Sequence, residues 1–279
     1  MIAVLLALLG AASYGVSDFI GGIFGKRASA WAVAATGGVG GAGAALVLAL
    51  VNPGNPTAVD LAWGAAAGVG SGTGTAFLYR GLASGRMGVV APVSGVLAVV
   101  LPVVVGLMTG ERPGWLVWLG IVSAVPAIWL VASEPDAGVP EGSVGSGARD
   151  GLLAGLGFGL LFTFLGQVPD GAGFWPLVLN QVVGVVVVAI AATLLGAVWV
   201  PREPAAWGGA LAGVLGGVAT TAYLLATHHG LLSVSAVVTS LYPAFTVLLA
   251  ALVLRERIHR LQAWGLGLCG VAIILVAMG

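Results

Sequence analysis

Runs of about twenty residues without a charged side chain alternate along this sequence with short polar turns; 30–51 and 174–199 are two of them. A helix rises about 1.5 Å per residue, so roughly 20 apolar residues cross a hydrocarbon core ~30 Å thick. That ruler marks ten candidate helices, over 2–24, 30–51, 60–80, 88–109, 114–133, 150–168, 174–199, 205–227, 233–254 and 261–278. The segments between them, such as KRAS, NPGNP, SGR, GERP, VPDG, PREP and RERIHR, carry turn formers and charge. Only 7% of residues are charged, against roughly 25% in soluble domains. Ten acids and ten bases cannot cover a soluble fold of 279 residues, so most of this surface meets lipid. The expected class is an all-α membrane protein of ten transmembrane helices, multi-pass in the cell membrane. The opening MIAVLLALLGAASYG has no basic segment and continues apolar to Phe24, so it reads as a first span and not as a cleaved leader.

Charge and cysteine content exclude other classes. Formal net charge is zero, so no basic field draws a nucleic acid. The single Cys269 cannot form an intrachain disulfide, and no Cys/His cluster has zinc spacing. His228 and His229 are sequence neighbours and diverge by about 100° on a helix, so no metal site is expected.

The fourth and ninth candidates read alike: APVSGVLAVVLPVVVGLMTGER at 91–112 and AVVTSLYPAFTVLLAALVLRER at 236–257. The offset of 145 positions sets Gly85 on Gly230, Ala91 on Ala236, Ser94 on Thr239 and Glu111 on Glu256. Between the copies lies EPDAGVPEGSVGSGARD, rich in Gly, Ser, Pro and acids, which reads as a linker. The expected organisation is a five-helix repeat over 1–133, a linker over 134–149 and a second repeat over 150–279. Five is odd, so tandem copies enter the membrane from opposite sides. Two inverted five-helix repeats are a common build of secondary transporters, with a site near the midplane.

With YRGLASGRMGVVAPVSG…GERP (79–113), HHGLLSVSAVVTSLYP…RER (228–257) and the opening YGVSDFIGG (14–22), the chain resembles EamA-type carriers of the drug/metabolite transporter superfamily. The resemblance implies a carrier of small metabolites or drugs, often outward, with its cavity between the halves and the fifth and tenth spans at the periphery. It implies no cofactor, and no GxxxxGK[ST] run is present. The expected partners are a small-molecule substrate, a coupling proton or cation and the lipid bilayer, with the chain a monomer or homodimer.

Asp18 is the sharpest candidate. A charge at a helix centre costs about 2.5–3.5 kcal/mol on insertion scales, so it is paired or used. A carboxyl in a partly dry cavity can exchange protons near neutral pH, which makes Asp18 the candidate for proton coupling or for neutralising a cationic substrate. Small multidrug carriers of the same superfamily have a first-span Glu eight residues before a Lys, and Asp18 precedes Lys26 by that interval. The second copy has Thr163 there instead. The structural alternative pairs Asp18 with Lys26 or Arg80. Tyr14 and Ser17 share its stretch of helix. Ser94, Thr239, Ser240 and Tyr242 lie beside Pro92 and Pro243, where a missing backbone donor frees a carbonyl and suggests a hinge in the substrate wall. Tyr79 and Tyr223 close the third and eighth spans as aromatic faces for a cation or a ring. The substrate-binding set is therefore Tyr14, Ser17, Asp18, Tyr79, Ser94, Tyr223, Thr239, Ser240 and Tyr242.

Further residues read as structural. Arg80 is expected to snorkel at an interface, and Asn180, Gln181 and Gln167 to hydrogen-bond between helices. Glycines at GxxxG spacing, Gly37/Gly41, Gly64/Gly68, Gly209/Gly213 and Gly213/Gly217, let helices approach and slide. Glu111 and Glu256 are expected to pair with Arg112 and Arg257 at helix ends and to latch a gate. Trp31, Trp63, Trp115 and Trp207 are expected as interfacial anchors. Most basic residues fall in loops on the side opposite the termini, so the positive-inside rule puts the termini outside, whereas the resemblance puts them inside. The rival functions are a passive channel and a membrane-embedded enzyme; no HExxH, DxxxD or GxSxG run supports the enzyme.

Overall fold

The computed structural model describes residues 1–83, 87–133 and 144–279, and at 82–83, 87–89 and 144–146 the backbone alone. Gly85, Arg86 and the linker over 134–143 lie outside the described residues. The chain forms eleven α-helices among them: α1 (Ile2–Gly25), α2 (Ala30–Val51), α3 (Ala58–Ala83), α4 (Met87–Met108), α5 (Trp115–Ala132), α6 (Val144–Leu165), α7 (Trp175–Leu194), α8 (Gly208–His229), α9 (Leu232–Thr239), α10 (Tyr242–Val253) and α11 (Arg260–Met278). Helix α6 begins at Val144, inside the stretch expected as linker. Nine segments are long and apolar enough to cross a membrane, with α9 and α10 together making one of them. The tenth, α3, is 26 residues long and less apolar because its middle, GVGSGTGT, is glycine and hydroxyl. The architecture is thus the expected all-helical, ten-span one.

Proline acts differently in the two similar spans. The ninth breaks at Ser240–Leu241, so that Pro243 falls in the first turn of α10, where its absent N–H leaves no intrahelical bond unmade. The link tightens through Leu241 N–H to Val238 O at 3.2 Å and Ala244 N–H to Leu241 O at 3.0 Å. The fourth span stays helical through Pro92 and Pro102.

The most extensive interfaces all join one half to the other. Helix α1 packs on α8 as α6 packs on α3; α2 packs on α8 as α7 packs on α3; α1 meets α9 and α10 as α6 meets α4; and α5 packs on α11. Glycine makes these approaches possible. Gly64, Gly68 and Gly72 of α3 recur 145 positions on as Gly209, Gly213 and Gly217 of α8. The first triplet lies on Pro176, Asn180 and Gly184 of α7, the second on Val33, Gly37 and Gly41 of α2. A methyl group on Gly213 would collide with the Gly37 carbonyl.

Close contacts fix the two ends of the bundle. Gly230 touches Ala3, Gly279 touches Val117 and Gly54 touches Gly173, so both termini share one end, the terminal face. Gly208 against Phe24, and Ser29 donating to the Val198 carbonyl, mark the opposite face. Trp115 and Trp207 are exposed at helix ends as expected, but Trp31 is only 6% exposed. Its ring centroid is 6.4 Å from that of Tyr79, so it packs inside the bundle instead of anchoring at an interface.

Candidate functional site

Helix α1 carries the core of the site. Its first half is buried at Ala3, Val4, Ala7, Gly10, Ala11, Ser13 and Gly15. Beyond Gly15 no residue of it is buried, and Asp18 is exposed. Gly15 allows this geometry: a methyl group there would sit 2.9 Å from the Tyr242 carbonyl and strike Phe245, so α1 crosses the start of α10 in near-backbone contact. Thr246 Oγ1 lies 3.3 Å from both the Gly15 and Tyr242 carbonyls, where it can donate to either.

Tyr14, Tyr79 and Tyr242, from α1, α3 and α10, each lie close enough to interact electrostatically with Asp18. The exposed Asp18 carboxylate thus has tyrosines from three helices within electrostatic reach. Ser17 lies beside it and donates to the Ala212 carbonyl at 2.7 Å, tying α1 to α8. The Tyr14 hydroxyl has no hydrogen-bond partner among the described residues. Its ring lies 5.9 Å from that of Tyr242 and 6.3 Å from that of Phe162, which in turn lies 4.7 Å from Tyr223. Phe162 thus links the expected tyrosines. Nothing in its apolar span singles it out by sequence.

The other expected site residues lie in helix packing. Tyr223 is fully buried and donates to the Phe162 carbonyl at 2.7 Å. Ser94 is 2% exposed and donates to the Ala91 carbonyl one turn back. Thr239 is fully buried, its hydroxyl 3.4 Å from the Ala7 carbonyl, and Ser240 is 1% exposed with no partner for its hydroxyl among the described residues. Of the nine, Tyr14, Ser17, Tyr79 and Tyr242 lie near Asp18, while Ser94, Tyr223, Thr239 and Ser240 are buried in helix packing.

Three structural expectations resolve differently. Arg80 stacks on the Phe77 ring at 4.7 Å and pairs with Asp150 of α6, its Nε donating at 3.0 Å. It thereby bolts the end of α3 to the start of α6. Glu111 reaches neither Arg112 nor any other cation among the described residues; its carboxylate accepts the backbone N–H groups of Leu232 and Ser233. Asn180 is fully buried, and neither atom of its amide has a partner among the described residues. Among the described residues no group of three or more His, Cys, Asp or Glu side chains could hold a metal.

Ten spans of bilayer length among the described residues define a multi-pass membrane protein. Residues 147–278, the second half, match the model of the EamA-like transporter family. A solved structure described only as the crystal structure of a protein superposes with a TM-score of 0.75, covering 99% of this chain and 96% of that one at 15% sequence identity. That likeness extends the shared fold over both halves. No curated protein matches the sequence.

Proposed function

We propose that the protein is a secondary carrier that moves a small cationic or amphipathic solute across the cell membrane by alternating access, in the direction of export. The observation that carries this reading is the exposed Asp18 carboxylate among Tyr14, Tyr79 and Tyr242. A carboxylate neutralises a cation, and tyrosine faces attract one, so the site suits an organic cation. A proton or cation exchanging at Asp18 is the coupling partner. The exchange of packing partners between the halves supports an inverted repeat whose axis lies in the membrane plane. Under that symmetry a cleft open on one face has a twin closed on the other.

The test is flux of tetraphenylphosphonium into proteoliposomes under an imposed proton gradient. Saturable, gradient-driven flux is expected for the unsubstituted protein. Asp18→Asn is expected to abolish the response to the gradient and to weaken binding about 10- to 100-fold, the worth of one charge-assisted contact. Unsaturable, conductive flux would replace the carrier with a channel.

A further inference from the structure

The two ends of the ninth span differ. All eight residues of α9, at the terminal face, are buried, whereas α10 buries only Ala244. The closed end is held from the other half by Glu111. Helix α4 ends in a paired turn: the Gly110 N–H donates to the Leu107 carbonyl at 3.1 Å and the Glu111 N–H to the Gly106 carbonyl at 2.9 Å. This turn needs φ of +99° at Gly110, which a side chain resists. It aims the Glu111 carboxylate at the start of α9, where one oxygen accepts the Leu232 N–H and the other the Ser233 N–H, at 3.1 Å in the second case. These are among the N–H groups that a helix start leaves without an intrahelical partner, and a negative charge there complements the helix dipole. Gly106 leaves the space in which the carboxylate sits; a methyl group there would collide with it.

Inside this closure are polar groups that gain nothing from it. The hydroxyls of Ser233, Ser235 and Ser240 are buried without a partner among the described residues. Buried hydroxyls without partners are unfavourable until water reaches them. Ser233 and Ser240, seven residues apart and so on one side of the segment, are the lining expected of a path that is dry in one state and wet in another. An aromatic series from Tyr242 through Tyr14 and Phe162 to Tyr223 runs through the bundle between the two ends.

We propose that Glu111 is the positioning residue that holds the terminal face shut by clamping the start of α9, and that Ser233 and Ser240 line the solute path when that face opens, with Ser235 buried on the same helix until then. This rests on the carrier reading, and the two can fail separately. Glu111 touches no solute; it sets how often the terminal face opens.

The test labels single cysteines in the full-length protein in proteoliposomes, in a Cys269→Ala background, with a membrane-impermeant maleimide and no solute. Ser235→Cys reports the terminal face. Gly22→Cys reports the opposite one; Gly22 is exposed one turn beyond Asp18, with open space for a side chain. Without further change, Gly22→Cys labels quickly and Ser235→Cys slowly. Adding Glu111→Ala is expected to raise the Ser235→Cys rate by about tenfold or more and to lower the Gly22→Cys rate, because opening one face closes the other. Glu111→Gln keeps one strong acceptor and gives an intermediate change. If both rates rise together the variant has merely loosened the fold, and if only Ser235→Cys speeds up the clamp is a local cap; either result overturns the proposal. Absence of saturable flux in the unsubstituted protein would instead overturn the carrier reading, whatever the labelling rates.

Discussion

The turns after the fourth and ninth spans share the Glu-Arg ending yet do opposite things. At 106–112 the chain has Gly106 and Gly110, and Glu111 folds back across the helix end to cap α9. At 251–257, Ala251 stands where Gly106 does, Arg255 takes the left-handed backbone that Gly110 takes, and Glu256 is exposed. A methyl at position 106 collides with the carboxylate, so the Ala251 side chain denies Glu256 the matching pose. The duplicated sentence thus encodes one strong clamp and one weak one. If the protein is the carrier proposed above, the difference in these two glycines is what would favour keeping one face shut.

The same inequality recurs on the opposite face, where Arg80 bolts α3 to α6 through the buried Asp150. The offset of 145 positions puts Leu225 and Leu5 at the corresponding places in α8 and α1. Making the first pair resemble the second gives the largest expected effect. Arg80→Leu strips the guanidinium from a buried carboxylate and should cost on the order of 3 kcal/mol, read as a lower midpoint of unfolding in mixed detergent micelles. The double change Arg80→Leu with Asp150→Leu should recover most of the loss. Equal stability of the single variant and the parent would mean that the bolt is ornamental and the two helix pairs equivalent.

A smaller effect is expected at the clamp. Gly106→Ala gives the first turn the residue of the second and displaces the Glu111 carboxylate. It should cost about 1–2 kcal/mol and raise the labelling of Ser235→Cys, though less than Glu111→Ala does. Combined with Glu111→Ala it should add little, since the group it displaces is already gone. Full additivity of the two changes would dissolve the link between Gly106 and the clamp.

The spans and the glycine spacing were legible because each rests on local sequence: apolar run length and small residues at fixed intervals. What escaped is pairing at a distance. Glu111 looks toward its neighbour Arg112 in sequence, whereas its partners lie 121 and 122 positions away. Arg80 finds Asp150, 70 positions on, across a stretch that reads as a linker. Tyr223 reads like Tyr79, but its hydroxyl is spent on the Phe162 carbonyl. Proline marked a hinge in both spans by sequence; the ninth breaks there, with Pro243 at a helix start, while the fourth carries Pro92 and Pro102 within one helix.

The smallest expected effect bears most directly on why the second turn is weak. Arg255 holds φ of +57°, a conformation that costs a residue with a Cβ about 1–2 kcal/mol. Its side chain is exposed and has no hydrogen bond or ion pair among the described residues that would offset this. Glycine relieves the strain but loses more chain entropy on folding, so Arg255→Gly should stabilise the protein by at most about 1 kcal/mol, read as a higher midpoint of unfolding. The Cβ of Ala251 remains, so the variant should leave the Ser235→Cys and Gly22→Cys labelling rates where they were. A stabilised protein with unchanged rates separates backbone strain from clamping and leaves position 251 as the feature that disables Glu256. A shift in the rates would instead make the left-handed turn, and not the Ala251 methyl, the element that decides which face stays closed.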